Sequence, residues 1–268
     1  MKKAIVIVTL VLAVFMALLS CKKNESPTTP AATKTPVVMT ATNTATVTAT
    51  VTATDTATKT PFSCIGVIHF PDANLEARIR QALNIPTPTP IYGTDLANLT
   101  YLEANVSNIT DITGLQCCTS LTNLDLNSNN ISNINALSGL TSLTDLYLGY
   151  NNISDISALS GLTSLTNLYL YSNNISDISV LSGLTSLTVL DLYSNNISDI
   201  SVLSGLTSLT YLILISNNIS DITALRINCD AGGLGNGDYI YLQINPLSDQ
   251  AKYVDIPYLQ SKGVIVNY

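Results

Sequence analysis

Histidine and tryptophan are nearly missing: 268 residues hold one His and no Trp. His69 has no second ligand and no nucleophile near it in sequence, so it reads as a packing or surface residue rather than a metal ligand or base. Charge is also scarce, at 11% Asp, Glu, Lys and Arg, and its balance is acidic, with a formal net charge of −7. Phosphate backbones would be repelled, and no basic stripe compensates, which excludes nucleic acid as a partner. The five cysteines follow no zinc spacing, since Cys117 and Cys118 are adjacent. No phosphate-cradling glycine loop and no facing carboxylate pair appears, and Gly232-Gly233-Leu234-Gly235 reads as an insertion loop. Nothing here argues for an enzyme or a cofactor.

Long apolar runs are absent too. The uncharged stretch from Ala4 to Leu19, preceded by Lys2 and Lys3, is about 16 residues, short for a membrane span and suited to a secretory signal. Its end, Leu18-Leu19-Ser20-Cys21, resembles the bacterial lipoprotein signal, which implies a signal peptide at 1–20 and acylation of Cys21. Removing Lys2 and Lys3 would take the net charge from −7 to −9. Residues 21–61 are dominated by Thr, Ala, Pro and Val, with almost no large side chain to form a core, and are expected to be a disordered stalk. As a random coil the stalk would span roughly 35 Å, and up to about 120 Å if extended.

What is abundant is leucine and isoleucine at fixed intervals. From Leu99 to Leu225 the chain repeats every 22 residues, most clearly in Leu121 to Leu140, LTNLDLNSNNISNINALSGL. Leu121, Leu124, Leu126, Ile131, Ile134, Leu137 and Leu140 recur as Leu143, Leu146, Leu148, Ile153, Ile156, Leu159 and Leu162. A weaker copy precedes them, and after a six-residue insertion Ile240, Leu242, Asn245 and Leu247 restore the register, giving about seven coils. A single coil cannot bury its own apolar face, so the coils must stack and the ends need covers.

Within a coil, Leu124-Asp125-Leu126 alternates as a short strand does, and such strands stack in parallel. Asn129, Asn151, Asn173, Asn195, Asn217 and Asn245 follow the strand, where an amide can bond buried backbone groups. Asp111, Asp155, Asp177, Asp199 and Asp221, with Asn133 in the same column, are expected to cap a 3₁₀-like turn. A calcium stripe is the alternative for that column, but single carboxylates one strand apart lack the six or more oxygens calcium takes.

The pattern L-x-x-L-x-L-x-x-N-x-I-x-D-I-x-x-L resembles the leucine-rich repeat of bacterial internalin-type proteins. Phe70-Pro71-Asp72-Ala73-Asn74-Leu75-Glu76, then Ile79, Leu83 and Thr94-Asp95-Leu96-Ala97-Asn98-Leu99, is similar to the helical cap such proteins place before their first coil. Leu75, Ile79 and Leu83 share one helical face that Asp72 can cap. Ala251, Val254, Ile256 and Leu259, interrupted by Pro257 and closed by Gly263, resemble the C-terminal cap. The fold implied is an α/β solenoid with a parallel sheet on the concave face and 3₁₀-like turns on the convex face. Its expected parts are an N-terminal cap at 62–98, repeats at 99–247 and a C-terminal cap at 248–268.

Four cysteines beyond Cys21 remain. Cys229 lies about five coils from Cys117, on the order of 24 Å, too far for a bridge. Cys118 occupies a leucine column, which favours a buried thiol. Cys64 precedes the cap helix and can reach Cys117 or Cys118 at the first coil; a Cys64–Cys117 bridge and two free thiols both stay open.

Function must come from the outward strand positions, because the core consumes the inner ones. Three outward columns carry eight of the thirteen tyrosines, joined by Ile213 and Ile215. Rigid tyrosines suit a binding hot spot, so the expected partner site is Tyr147, Tyr169, Tyr171, Tyr193, Tyr211, Ile213 and Tyr241. In the resembled family the concave sheet binds other proteins, including host-cell receptors. The chain departs from that family in having no wall-sorting signal and no immunoglobulin-like module after the repeats. The expected protein is a lipid-anchored monomer of a bacterial cell envelope that grips an extracellular or envelope protein. Carbohydrate stacking beside Asp125, Asn167 and Asp191 is a second reading, which the lack of Trp weakens, and a passive envelope spacer is a third.

Overall fold

A computed structural model of the chain describes residues 63–268. The signal expected at 1–20, the acylation expected at Cys21 and the stalk expected at 21–61 lie outside the described residues.

The fold begins with helix α1 (Ala73–Leu83), whose Leu75 and Ile79 are buried one turn apart against the first coil. Asp72 caps it, Oδ1 accepting the backbone N–H of Asn74 at 2.9 Å and of Leu75 at 3.1 Å. Its second oxygen does a different task, accepting the N–H of Thr110 at 2.8 Å and of Asp111 at 3.3 Å, so one carboxylate joins the cap to the first repeat. Burial works to raise the Asp72 carboxyl, but these backbone N–H bonds outweigh it and hold the group below the usual carboxylate range. A short helix α2 (Gly93–Leu96) follows. Cys64 is disulfide-bonded to Cys117 with Cα atoms 5.4 Å apart, pinning the segment before α1 to the first turn. Gly93 makes the path possible, since a Cβ there would come 1.8 Å from the Cys64 carbonyl oxygen. Cys118 is a buried free thiol that burial pushes up to about 12, and Cys229 is also free.

Eight three-residue strands then form one parallel sheet in chain order: β1 (Tyr101–Glu103), β2 (Asn123–Asp125), β3 (Asp145–Tyr147), β4 (Asn167–Tyr169), β5 (Val189–Asp191), β6 (Tyr211–Ile213), β7 (Tyr239–Tyr241) and β8 (Ile265–Asn267). The register steps by one repeat, Tyr101 facing Asn123 and Asn123 facing Asp145. Every leucine of the ladder from Leu121 to Leu212 is buried in one continuous core. The return paths carry 3₁₀ turns at Leu115–Cys117, Asn135–Leu137, Ser157–Leu159, Ser179–Gly183 and Ser201–Gly205.

Two side-chain ladders tie the coils together. Asn173 donates Nδ2 to the carbonyls of Leu148 and Leu170 at 2.9 and 3.0 Å, and its Oδ1 accepts the N–H of Ile153 at 2.9 Å. Asn151, Asn195, Asn217 and Asn245 repeat this pattern, each serving its own coil and the one before. A buried amide is therefore needed once per coil, because the turn leaves backbone groups that no strand pairs. The second ladder is of threonines, Thr166 Oγ1 donating to the Thr144 carbonyl at 3.1 Å and Thr188 to that of Thr166 at 3.1 Å. On the turn side, Oδ1 of Asp155, Asp177 and Asp199 each accepts the first N–H of its 3₁₀ turn at 2.8 Å. Those bonds hold all three carboxyls below their ordinary range.

The C-terminal end departs from the repeat. The sixth turn is helix α3 (Thr223–Asp230), and the glycine-rich segment after it is fixed by Asn228, fully buried, whose Nδ2 donates to the Leu203 and Leu206 carbonyls and whose Oδ1 accepts the Leu234 N–H. A π-helical turn (Ala251–Asp255) runs into helix α4 (Ile256–Ser261), with Pro257 accommodated in the first turn of α4. Val254, expected in the cap's apolar face, is 45% exposed; the π turn rotates it outward and buries Asp255 instead, paired with Arg226 at 3.1 Å.

Candidate interaction surface

Alternation decides which side chains leave the core. Leu146, Leu168, Leu190 and Leu212 point in and are fully buried, so the residues either side of each emerge on the sheet face. Register then aligns them, Tyr147 beside Tyr169, Tyr169 beside Asp191, Asp191 beside Ile213, and Ile213 beside Tyr241.

The tyrosines pack in three groups. Tyr147 and Tyr169 stack, with centroids 4.7 Å apart and planes 6° from parallel. Tyr171 bends back over Gly149, where an added Cβ would lie 2.2 Å from its ring, and it meets Tyr150 edge-on at 5.2 Å. At the other end Tyr211 packs against Tyr239 and Tyr241 at 5.8 and 5.5 Å. Tyr193, Ile213 and Ile215 lie half-buried among these groups. Burial raises the phenols of Tyr147, Tyr171, Tyr193 and Tyr211, and brings that of Tyr169 to about 12, so these rings stay neutral and keep their hydroxyl protons.

At the middle of this surface sits Asp191, only 3% exposed although it belongs to an outward column. Its Oδ1 accepts the N–H of Tyr193 at 3.0 Å. Burial pushes its carboxyl up to about 7, the backbone N–H opposing the shift only in part.

The Leucine Rich repeats family model matches residues 97–139, 141–183 and 185–226. Among solved structures, the chain is similar to internalin inlF from Listeria monocytogenes strain 4b F2365, at 36% identity and a TM-score of 0.67. That match covers 74% of this chain and 56% of the inlF chain, so this chain spans little more than half its length. The repeat domain is a leucine-rich repeat solenoid. Internalin C2 from the same strain is similar at 28% identity and a TM-score of 0.54, covering 74% of this chain and 93% of its own. No sequence match was found among curated proteins.

Within this solenoid, the seven side chains singled out from sequence all lie on the sheet face, on strands β3 to β7 or directly after them. The structure adds Tyr150, which no pattern in the outward columns marks. It stands before the ladder residue Asn151, where Ser128, Ser172, Ser194 and Ser216 stand in other coils, and all five share a left-handed backbone. That one aromatic exception in a serine column is the signal that would have revealed it. Among the described residues, no group of three or more His, Cys, Asp or Glu could hold a metal ion. None of their helices is long and apolar enough to cross a membrane.

Proposed function

We propose that this chain is a cell-envelope recognition protein, lipid-anchored through Cys21, that binds another protein through the tyrosine-bearing sheet face of its leucine-rich repeats. One observation carries the reading: Tyr147, Tyr169, Tyr171, Tyr211 and Tyr241 lie on a single face in three packed groups, with Ile213 and Ile215 among them. The core does not need these side chains, since the inward leucines already close it. Rings that are prepacked lose little rotamer freedom on binding, which suits an anchor for a protein partner. The lipoprotein-like Leu18-Leu19-Ser20-Cys21 and the Thr-rich residues after it supply the envelope location and the reach. The protein acts as a monomer.

The test is capture from envelope and host extracts by the wild type and by Tyr169→Ala/Tyr171→Ala, with thermal unfolding as the folding control. Loss of the captured protein at unchanged folding supports the reading. Equal capture by a folded double variant overturns it.

A further inference from the structure

Between Arg80 and Arg226 the sequence contains no Lys, Arg or His, yet it places Glu103, Asp125, Asp145 and Asp191 on the strands. Leu102, Leu124, Leu146 and Leu190 beside them are fully buried, so all four acids belong to the sheet face. Asp191 is covered by its neighbours, whereas Asp125 and Asp145 are half-exposed at the edge of the Tyr147–Tyr169 stack.

The donors that hold these two acids are neutral. Asp125 accepts from Asn105 Nδ2 at 3.0 Å and from the Asn127 N–H at 2.9 Å. Asp145 accepts from Asn167 Nδ2 at 2.6 Å and from the Thr144 hydroxyl at 2.7 Å. Among the described residues the ion pairs are Glu76 with Arg80 in the N-terminal cap, and Arg226 with Asp255 where the sixth turn meets the C-terminal cap. Arg78 reaches the edge coil, but it donates to Ser107 Oγ at 2.8 Å and to the Asn105 carbonyl at 3.4 Å.

Fixed, unneutralised carboxylates beside stacked phenol faces are complementary to one chemistry. A guanidinium or ammonium can lie on an aromatic face and pair with a carboxylate at its edge, while an acidic partner would meet like charge. We infer that the sheet face takes a basic protein segment, whose arginine or lysine side chains lie over Tyr147 and Tyr169 between Asp125 and Asp145. This rests on the sheet face being the recognition surface, and it adds the partner's charge. The turn face supplies a control, because Asp177 and Asp199 carry the same charge with no aromatic beside them in their column.

The experiment measures binding of a fluorescein-labelled oligoarginine peptide to the full chain by anisotropy, with an oligoglutamate peptide of equal length alongside. The wild type is expected to bind oligoarginine and not oligoglutamate. Asp125→Asn/Asp145→Asn removes both charges while keeping one accepting oxygen on each side chain, and is expected to weaken oligoarginine binding about tenfold. Asp177→Asn/Asp199→Asn, for which Asn133 is the natural precedent at that position, is expected to stay within about twofold of wild type. Equal weakening by both pairs, or no oligoarginine binding by the folded wild type, overturns the inference. If Tyr169→Ala/Tyr171→Ala still abolishes capture in that case, the basic character fails and the tyrosine face stands.

Discussion

The ring of Tyr171 lies on Gly149 of the preceding coil so closely that no side chain fits between them. The glycine is thus the seat of an aromatic residue on the next strand, and Tyr150 closes the seat from its edge. Gly149→Ala is expected to lift Tyr171 off the sheet and to cost about 1 to 3 kcal/mol. A crystal structure of the variant with the ring unmoved would contradict this.

The asparagine ladder gives a sharper stability test. Asn173→Ala strands the Ile153 N–H in the core and takes one of two donors from the Leu148 and Leu170 carbonyls, which keep Asn151 and Asn195, and is expected to cost about 2 kcal/mol in denaturant unfolding. Its neighbour Asn174 is exposed, so Asn174→Ala should stay within about 0.5 kcal/mol of wild type. Similar losses for the two would refute the role given to the ladder.

Asp191 makes stability depend on pH with a definite sign. Its carboxyl moves from an ordinary 3.8 to about 7 on folding, so the folded state favours the protonated acid. Its contribution is fully present below about pH 3.8, and is lost as pH rises through about 7. Burial drives this shift against the Tyr193 backbone N–H, and Asp191 in turn helps raise the facing phenols of Tyr169, Tyr171, Tyr193 and Tyr211. Asp191→Asn is expected to flatten the fall in thermal midpoint over that range and to be the more stable protein at alkaline pH. Superimposable curves for the two proteins would show that Asp191 ionises freely.

The Cys64–Cys117 bridge closes a separation of 53 residues. By loop entropy, Cys64→Ser/Cys117→Ser should lose about 4 kcal/mol, and reduction of the wild type should lose as much. Unchanged unfolding after reduction would show that the cap is held without the bridge.

How much of this was legible in the sequence depends on how often a device is repeated. The leucine columns, Asn129 to Asn245 and the Asp caps recur in nearly every coil, so period alone revealed their places and the outward columns between them. Devices that occur once were hidden. The second oxygen of Asp72 on Thr110, the buried Asn228, and Tyr171 on Gly149 each join residues whose pairing follows from how neighbouring segments stack. The threonine ladder was hidden for another reason: its bonds run from side chain to the backbone of the previous coil, and Ser or Thr is equally common in exposed turns. Strand β8 was missed because Ile265-Val266-Asn267 falls after the last recognisable repeat, and only its pairing with β7 makes it a strand.

The central claim is that the tyrosine face is where the partner sits. Hydroxyl-radical footprinting of the captured complex, compared with the protein alone, tests it most directly. The account expects protection at Tyr147, Tyr169 and Tyr241, with Val180 and Val202 on the turn side unchanged. Protection confined to the turn side, with those three tyrosines as reactive as before, would contradict it.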